Sequence, residues 1–222
     1  MACPLFGSII VPMNHSQPAI IFDFGGVLVN WDPHSLYRPF FDGDDAAIDR
    51  FMQEIDFHEW NLRQDGGRSF DEGVAVLSAQ FPQYAHLIRA YHEYYTDSII
   101  GSVTGTVEIL RACKAAGHPL YGLSNWAQEK FDLIRPEYDF FDCFDDILIS
   151  STVNLVKPDP RIFEIFLARI KRRAEECVYI DDSAVNVSTA DRLGFITIHF
   201  ESPAQLAAEL DRLDVIHLNG HR

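Results

Sequence analysis

Four short stretches of this sequence carry side chains able to do chemistry: "FDFGG" with Asp23, "GLSN" with Ser124 and Asn125, "VKPDP" with Lys157, and "YIDDS" with Asp181 and Asp182. Asp23 follows the apolar run "AIIF", and a carboxylate at a strand end is a candidate nucleophile. Gly25 and Gly26 behind it let the backbone turn sharply and bring a carbonyl or amide close to a ligand. Taken alone, the loop reads as well as a structural Asp capping a turn. Ser124 and Asn125 close another apolar run, where a hydroxyl and backbone amides can hold an anion's oxygens, although both residue types also cap helices. Lys157 taken singly is a solvated lysine. Asp181 and Asp182 leave an apolar run side by side, which is costly unless a hard divalent cation or Lys157 meets them.

Together the four stretches fit one site. Asp23 and Asp182 with the Gly25 carbonyl form an all-oxygen donor set of the kind Mg2+ prefers. The metal and Lys157 would then offset the charge of an anionic substrate held beside an anionic nucleophile. Asn186, four residues after Asp182, is placed to tie the last loop by hydrogen bonds. The nine histidines show no HxxxH or similar spacing, so none is assigned to a metal.

The elements that must position these residues are legible as alternating patterns. After position 101, strand-length apolar runs recur in "HPLYGLSN", "FDDILISS", "CVYIDDS" and "FITIHF", as expected of parallel strands covered on both faces. Between them lie helical patterns: "TVEILRACKAAG" stops at Gly117, "DPRIFEIFLARIKRR" repeats apolar residues at Ile162, Phe163, Phe166, Leu167 and Ile170, and "STADRLG" closes at Gly194. This alternation predicts an α/β fold, a Rossmann-like doubly wound parallel sheet with functional loops at the carboxyl ends of its strands. Residues 35–100 differ, with the aromatic-rich helical patterns "DDAAIDRFMQEIDFHEW", "FDEGVAVLSAQF" and "AHLIRAYHEYYTDSII" and no strand run among them. They predict an all-helical module inserted after the first strand. Trp31, His58 and Trp60 are expected to pack within it. Arg161 and the "KRR" run at 171–173 are expected on a solvated helix face.

The 222 residues suit one α/β domain with a sizeable insertion, and 47% hydrophobic content is ample for a core. With 33 acidic against 18 basic residues the formal charge is -15, which disfavours nucleic acid and anionic membrane surfaces as partners. Cys3, Cys113, Cys143 and Cys177 form no CxxC pair, consistent with a reducing cytoplasm. The first 18 residues lack the basic start and unbroken apolar run of a signal peptide, and read as a tail with Met13 as an alternative start. No apolar stretch approaches the roughly 20 residues needed to span a bilayer.

The order D-x-G-G-V, L-S-N, V-K-P-D and D-D resembles the four motifs of the haloacid dehalogenase superfamily, from Ala19 to about Leu213. The resemblance implies core segments at 19–34 and 101–213, a helical cap at 35–100, and tails at 1–18 and 214–222. It implies Asp23 as nucleophile, Ser124 with Asn125 as substrate ligands, and Lys157 as bridge between nucleophile and transferring group. Asp23, Asp182 and the Gly25 carbonyl would be Mg2+ ligands, with Asp181 a supporting carboxylate. "FDFGGVL" and "GLSNW" look closest to the superfamily's phosphatases of small, sugar-phosphate-like metabolites. One position departs from the pattern. Phosphatases of the superfamily usually carry a general acid two residues after the nucleophile, and here that residue is Gly25. Asp32 and His34 are the acids nearest in sequence that could replace it. Two other readings stand beside the phosphatase: a carbon–halogen hydrolase, which needs neither acid nor metal, and a binding module of the same fold with weak turnover. Oligomeric state is left open by the sequence.

Overall fold

The structure is a computed structural model that describes residues 17–217. Cys3, Met13 and most of the expected N-terminal tail lie outside the described residues. The first apolar run forms β1 (Ala19–Phe22), and after residues 23–28 a short β2 (Val29–Trp31) follows. Five helices come next: α1 (Pro33–Tyr37), α2 (Asp45–Glu54), α3 (Phe57–Asp65), α4 (Phe70–Gln80) and α5 (Ala85–Glu93). β3 (Ile99–Ser102) returns antiparallel to β2. The chain then alternates through α6 (Thr104–Ala115), β4 (Leu120–Ser124), α7 (Gln128–Ile134), β5 (Asp146–Ile149) and α8 (Pro160–Ile170). It ends with β6 (Cys177–Asp181), α9 (Ala184–Arg192), β7 (Ile196–His199) and α10 (Pro203–Arg212).

β1 lies at the centre of a five-stranded sheet of order β5-β4-β1-β6-β7, and every pairing in it is parallel. The expected doubly wound sheet is therefore present, with its change of direction beside β1, where such sheets bind ligands. All four residues of β1 are fully buried because successive side chains enter different cores. Ala19 and Ile21 face Phe163, Phe166 and Ile170 of α8, whereas Ile20 and Phe22 face the cluster that holds Leu110 of α6 and Leu206 and Leu210 of α10. That second cluster continues into the helices between β2 and β3, through Tyr37, Phe51, Phe57, Trp60, Phe70 and Tyr91. Their rings meet mostly edge-on or tilted, as the quadrupoles of aromatic rings favour.

Three expectations about local structure change. The β2–β3 ribbon was not anticipated: it starts at Ile99, within the stretch read as wholly helical, because two short strands need only the pairing Asp32 N–H to Ser98 O (2.7 Å) and Val103 N–H to Leu28 O (2.9 Å) to be joined at both ends. The pattern "DDAAIDRFMQEIDFHEW" forms two helices, broken at Asp56, whose φ is 51°. The "KRR" run lies past its helix, since Lys171 caps α8 in the left-handed region at φ 55°. Arg173 instead bonds Glu176 in the following turn, while Arg161 is on α8 as expected and pairs with Asp159 at 2.6 Å. Packing also runs beyond Leu213, for Ile216 is buried and the Val215 carbonyl accepts from His118 at 2.9 Å. Among the described residues no helix is long and apolar enough to cross a membrane.

Candidate active site

Asp23 sits one residue past β1, where its N–H donates to Ile180 O of β6 at 2.9 Å, so its carboxylate emerges between the ends of β4 and β6. Its Oδ1 accepts the Phe24 N–H at 2.7 Å, which fixes the side chain across the turn. The two glycines that follow have different reasons. Gly26 has φ +72°, and a Cβ there would lie 2.0 Å from Asp182 Oδ2, so the backbone must be bare for that carboxylate to lean on it. A Cβ at Gly25 would meet nothing within 4 Å, so crowding does not explain the missing side chain.

Lys157 is brought into the site by the loop between β5 and α8 and is buried. Its Nζ donates to Leu123 O at 3.0 Å and bridges Asp23 Oδ1 at 2.9 Å and Asp181 Oδ2 at 2.7 Å. Burial alone would push the ammonium down, but the two carboxylates hold it above its ordinary range. Asp181 is saturated with donors: besides Lys157 it accepts from Tyr179 Oη, the Ser183 N–H at 2.8 Å and Asn186 Nδ2 at 3.1 Å. Burial would raise this carboxyl, yet Lys157 and these donors keep it below the usual carboxylate range. Asp23 goes the other way. Burial, opposed by Lys157 and reinforced by the charge of Asp181, pushes it up to about 7.

The expected tie from Asn186 is present, and Tyr179 joins it. The sequence signal for Tyr179 was available, since residues two apart on a strand share a face. Ser124 is buried at the end of β4 and lines a cleft that Gly25, two residues after Asp23, also lines. Asn125 lines it too, and its carboxamide also bonds the Lys157 main chain: Oδ1 accepts the Lys157 N–H at 2.7 Å and Nδ2 donates to Lys157 O at 2.9 Å. Its side chain therefore positions Lys157 through Oδ1 and one Nδ2 hydrogen, and the second Nδ2 hydrogen is left for a substrate oxygen.

Asp23, Asp181 and Asp182 present carboxylate oxygens within 4.8 Å of one another. Asp182 is the exposed member, and burial and then Asp181 raise its carboxyl above the usual range. The donor chemistry fits a hard cation: the atoms are all oxygen, the charge is in excess of Lys157, and of the three carboxylates Asp181 is the one already filled by internal donors.

The cleft itself has a volume of about 90 Å³ and is lined by Val29, Trp31, Tyr95 and Trp126 together with Gly25, Asn61, Asp65, Ser124 and Asn125. Trp31 thus faces the cleft as well as donating through Nε1 to Tyr91 Oη at 3.2 Å, whereas Trp60 is packed as expected, with Nε1 on Gly73 O at 3.0 Å, and His58 is exposed. Neither acid named from sequence turns inward. Asp32 caps α1 by accepting the His34 N–H at 3.0 Å and Ser35 Oγ at 2.9 Å, and His34 Nε2 meets Asp49 at 2.8 Å.

Asp65 was missed. It ends α3, its carboxyl accepts Asn61 Nδ2 at 3.2 Å, and its main-chain oxygen accepts Ser150 Oγ at 2.6 Å. Burial pushes the carboxyl up to about 7, against a hydrogen bond from the Ala127 N–H and with the charge of Asp23 adding to the rise. The signal in "LRQDGGRS" is an electrostatic one: a carboxylate in the last turn of a helix opposes the helix dipole.

Comparison with known proteins adds the following. The family described as "Hydrolase: haloacid dehalogenase-like hydrolase" matches residues 18–194. The chain is 26% identical over 195 residues to the sesquiterpene phosphatase astK of Aspergillus oryzae, covering 88% of this chain and 95% of that protein. It is 25% identical to an (S)-2-haloacid dehalogenase of Pseudomonas putida, covering 79% of this chain and 81% of that one. It spans only 36% and 19% of the lengths of two other curated relatives. In fold it is similar to the HAD family enzyme bt-2542 of Bacteroides thetaiotaomicron, solved in complex with magnesium and inorganic phosphate, at a TM-score of 0.66 and 19% identity over 84% of this chain and 96% of that one.

Proposed function

Because the chain belongs to the haloacid dehalogenase-like hydrolase family, we propose that it is a Mg2+-dependent phosphatase of a small phosphorylated metabolite, working through an aspartyl phosphate on Asp23. The observation that carries this reading is the charge balance at the strand ends. Three carboxylates have oxygens within 4.8 Å of one another, and Lys157 is bonded to two of them, Asp23 and Asp181. Two negative charges are left for a dication. A carbon–halogen hydrolase needs no metal and would leave Asp182 without a role. The phosphatase among the relatives supports the same choice.

In the proposed reaction an Asp23 oxygen attacks phosphorus in line, and the bond from phosphorus to the leaving oxygen breaks with its electron pair on that oxygen. Lys157 holds Asp23 in place from 2.9 Å and keeps its charge balanced as the bond forms. The Ser124 hydroxyl, at the end of β4, takes a phosphoryl oxygen. Asp23, Asp182 and the Gly25 carbonyl would hold Mg2+, whose positive charge would offset that of the phosphoryl oxygens. Water then attacks the aspartyl phosphate and frees inorganic phosphate. The helices of 35–100 act as a cap that shields the cleft, and Trp31, Tyr95 and Trp126 suit a compact leaving group with an apolar face. The free thiols of Cys113, Cys143 and Cys177 support a reducing, cytoplasmic setting.

The test is a panel of an acyl phosphate, a sugar 1-phosphate, a sugar 6-phosphate and an aryl phosphate, each with Mg2+ or with EDTA, beside halide release from 2-chloropropionate. The expected result is phosphate release that needs Mg2+ and no halide release. Halide release without phosphate release would replace this reading with the dehalogenase one, and neither would favour a binding module.

A further inference from the structure

We infer that Asp65, carried in by the inserted helices, is the general acid and base that Gly25 lacks. The inference rests on the phosphatase reading and names the group that would protonate the leaving oxygen. Its basis is geometric. Asp65 lines the same small cleft as Gly25, Ser124 and Asn125, on the side of the cleft furnished by α3. It is only 9% exposed. Its main chain is pinned to the core, because Ser150 Oγ donates to Asp65 O at 2.6 Å and itself accepts the Trp126 N–H at 2.9 Å. Gly67 tightens the same contact, since a Cβ there would fall 2.0 Å from Asn154 Oδ1 and 3.2 Å from Ser151 O. Asp65 thus stands at the cleft wall on a pinned main chain, and among the described residues its carboxyl has no ion pair to explain it structurally: the groups that bear on it are Asp23, the Ala127 amide, Asn61 and the phenols of Tyr91 and Tyr95.

The environment supplies the right protonation state. With its pKa pushed up to about 7 by burial and by Asp23, Asp65 is protonated in part of the population near neutrality, as an acid must be. In the first step the Asp23 oxygen bonds to phosphorus, the bond to the leaving oxygen breaks, and the Asp65 proton passes to that oxygen, giving an alcohol and the Asp65 carboxylate. In the second step the carboxylate takes a proton from water, the hydroxide oxygen bonds to phosphorus, and the bond from phosphorus to Asp23 breaks with its electrons on Asp23. Inorganic phosphate leaves and Asp65 is protonated again.

The experiment compares Asp65→Asn with native protein on an alkyl phosphate, whose leaving group needs a proton, and an aryl phosphate, whose leaving group does not. General acid–base help of this kind is worth roughly 100-fold to 10,000-fold. The alkyl ester should lose at least about 100-fold in kcat. The aryl ester should still give a burst of phenol stoichiometric with enzyme, followed by slow turnover as the phosphoenzyme accumulates. Because a Cβ at Gly25 meets nothing within 4 Å, Gly25→Asp in the Asp65→Asn background should recover alkyl ester hydrolysis at least about 10-fold, which mere repair of folding would not do. Equal losses in the burst phase for both esters, unchanged activity in Asp65→Asn, or failure of the rescue would each overturn the assignment. If native protein hydrolyses neither ester, or if Asp23→Asn keeps native activity, the phosphatase reading falls first and takes this one with it.

Discussion

Asp65 carries a stability signature separate from its chemistry. Its carboxyl rises from 3.8 to about 7 on folding, so between those values the folded chain holds a proton that the unfolded chain has lost. Stability attributable to this residue must therefore fall as pH rises from about 4 to about 7 and then level off, and the full shift corresponds to about 4 kcal/mol. Urea unfolding in EDTA should show Asp65→Asn close to native near pH 4 and more stable than native by up to that amount at pH 8. A variant less stable at both values would mean that the carboxylate is held by contacts the structure does not contain. Lys157 predicts the opposite sign. It is the cation between two buried carboxylates, so Lys157→Met should destabilise by about 3–5 kcal/mol in the same assay, because removing one partner leaves buried charge uncompensated. At this scale the sequence made Asp23, Asp181 and Asp182 legible, since each ends or follows an apolar run, and Lys157 only as the cation those carboxylates need. The use of the Asn125 side chain was not legible, because its partner, the Lys157 backbone, lies 32 residues away.

Among the elements, strands and core helices were readable because their periodicities are strong: β1 is apolar throughout, and α8 repeats its apolar face through Ile162, Phe163, Phe166 and Ile170. The β2–β3 ribbon escaped notice because Val29–Trp31 and Ile99–Ser102 are too short for a pattern and are made by pairing across the whole helical insertion. The docking of α3 onto the end of β5 was equally hidden, since one hydroxyl carries much of it. Ser150 Oγ donates to Asp65 O and accepts from the Trp126 N–H. Ser150→Ala leaves that buried amide unpaired, which should cost about 1–3 kcal/mol in chemical denaturation. The same variant should lose kcat on alkyl phosphates more than on aryl phosphates, because it loosens Asp65 and leaves Asp23 alone. Equal losses on the two would separate Ser150 from the placement of Asp65.

For the molecule as a whole, the acidic excess gives a formal charge of -15, yet the site concentrates three carboxylates around one lysine. Mg2+ should thus stabilise the fold by mass action, about 2.7 kcal/mol at a hundredfold excess over its dissociation constant. The melting temperature should rise with Mg2+ in native protein and stay flat in Asp182→Asn, whose metal-free form should melt higher than native metal-free protein because a repelling carboxylate is gone. A native melting curve indifferent to Mg2+ would contradict the assignment of Asp182. In the proposed reaction Asp23 carries the phosphoryl group. The most direct test is rapid acid quench of native protein and of Asp23→Asn mixed with an aryl phosphate and Mg2+, reading released phenol and the phosphorylated peptide together. Native protein should give a phenol burst matched by one phosphoryl group on Asp23, and the folded variant neither; phenol release by Asp23→Asn at the native rate, or a phosphoryl group on another residue, would rule out Asp23 as the carrier.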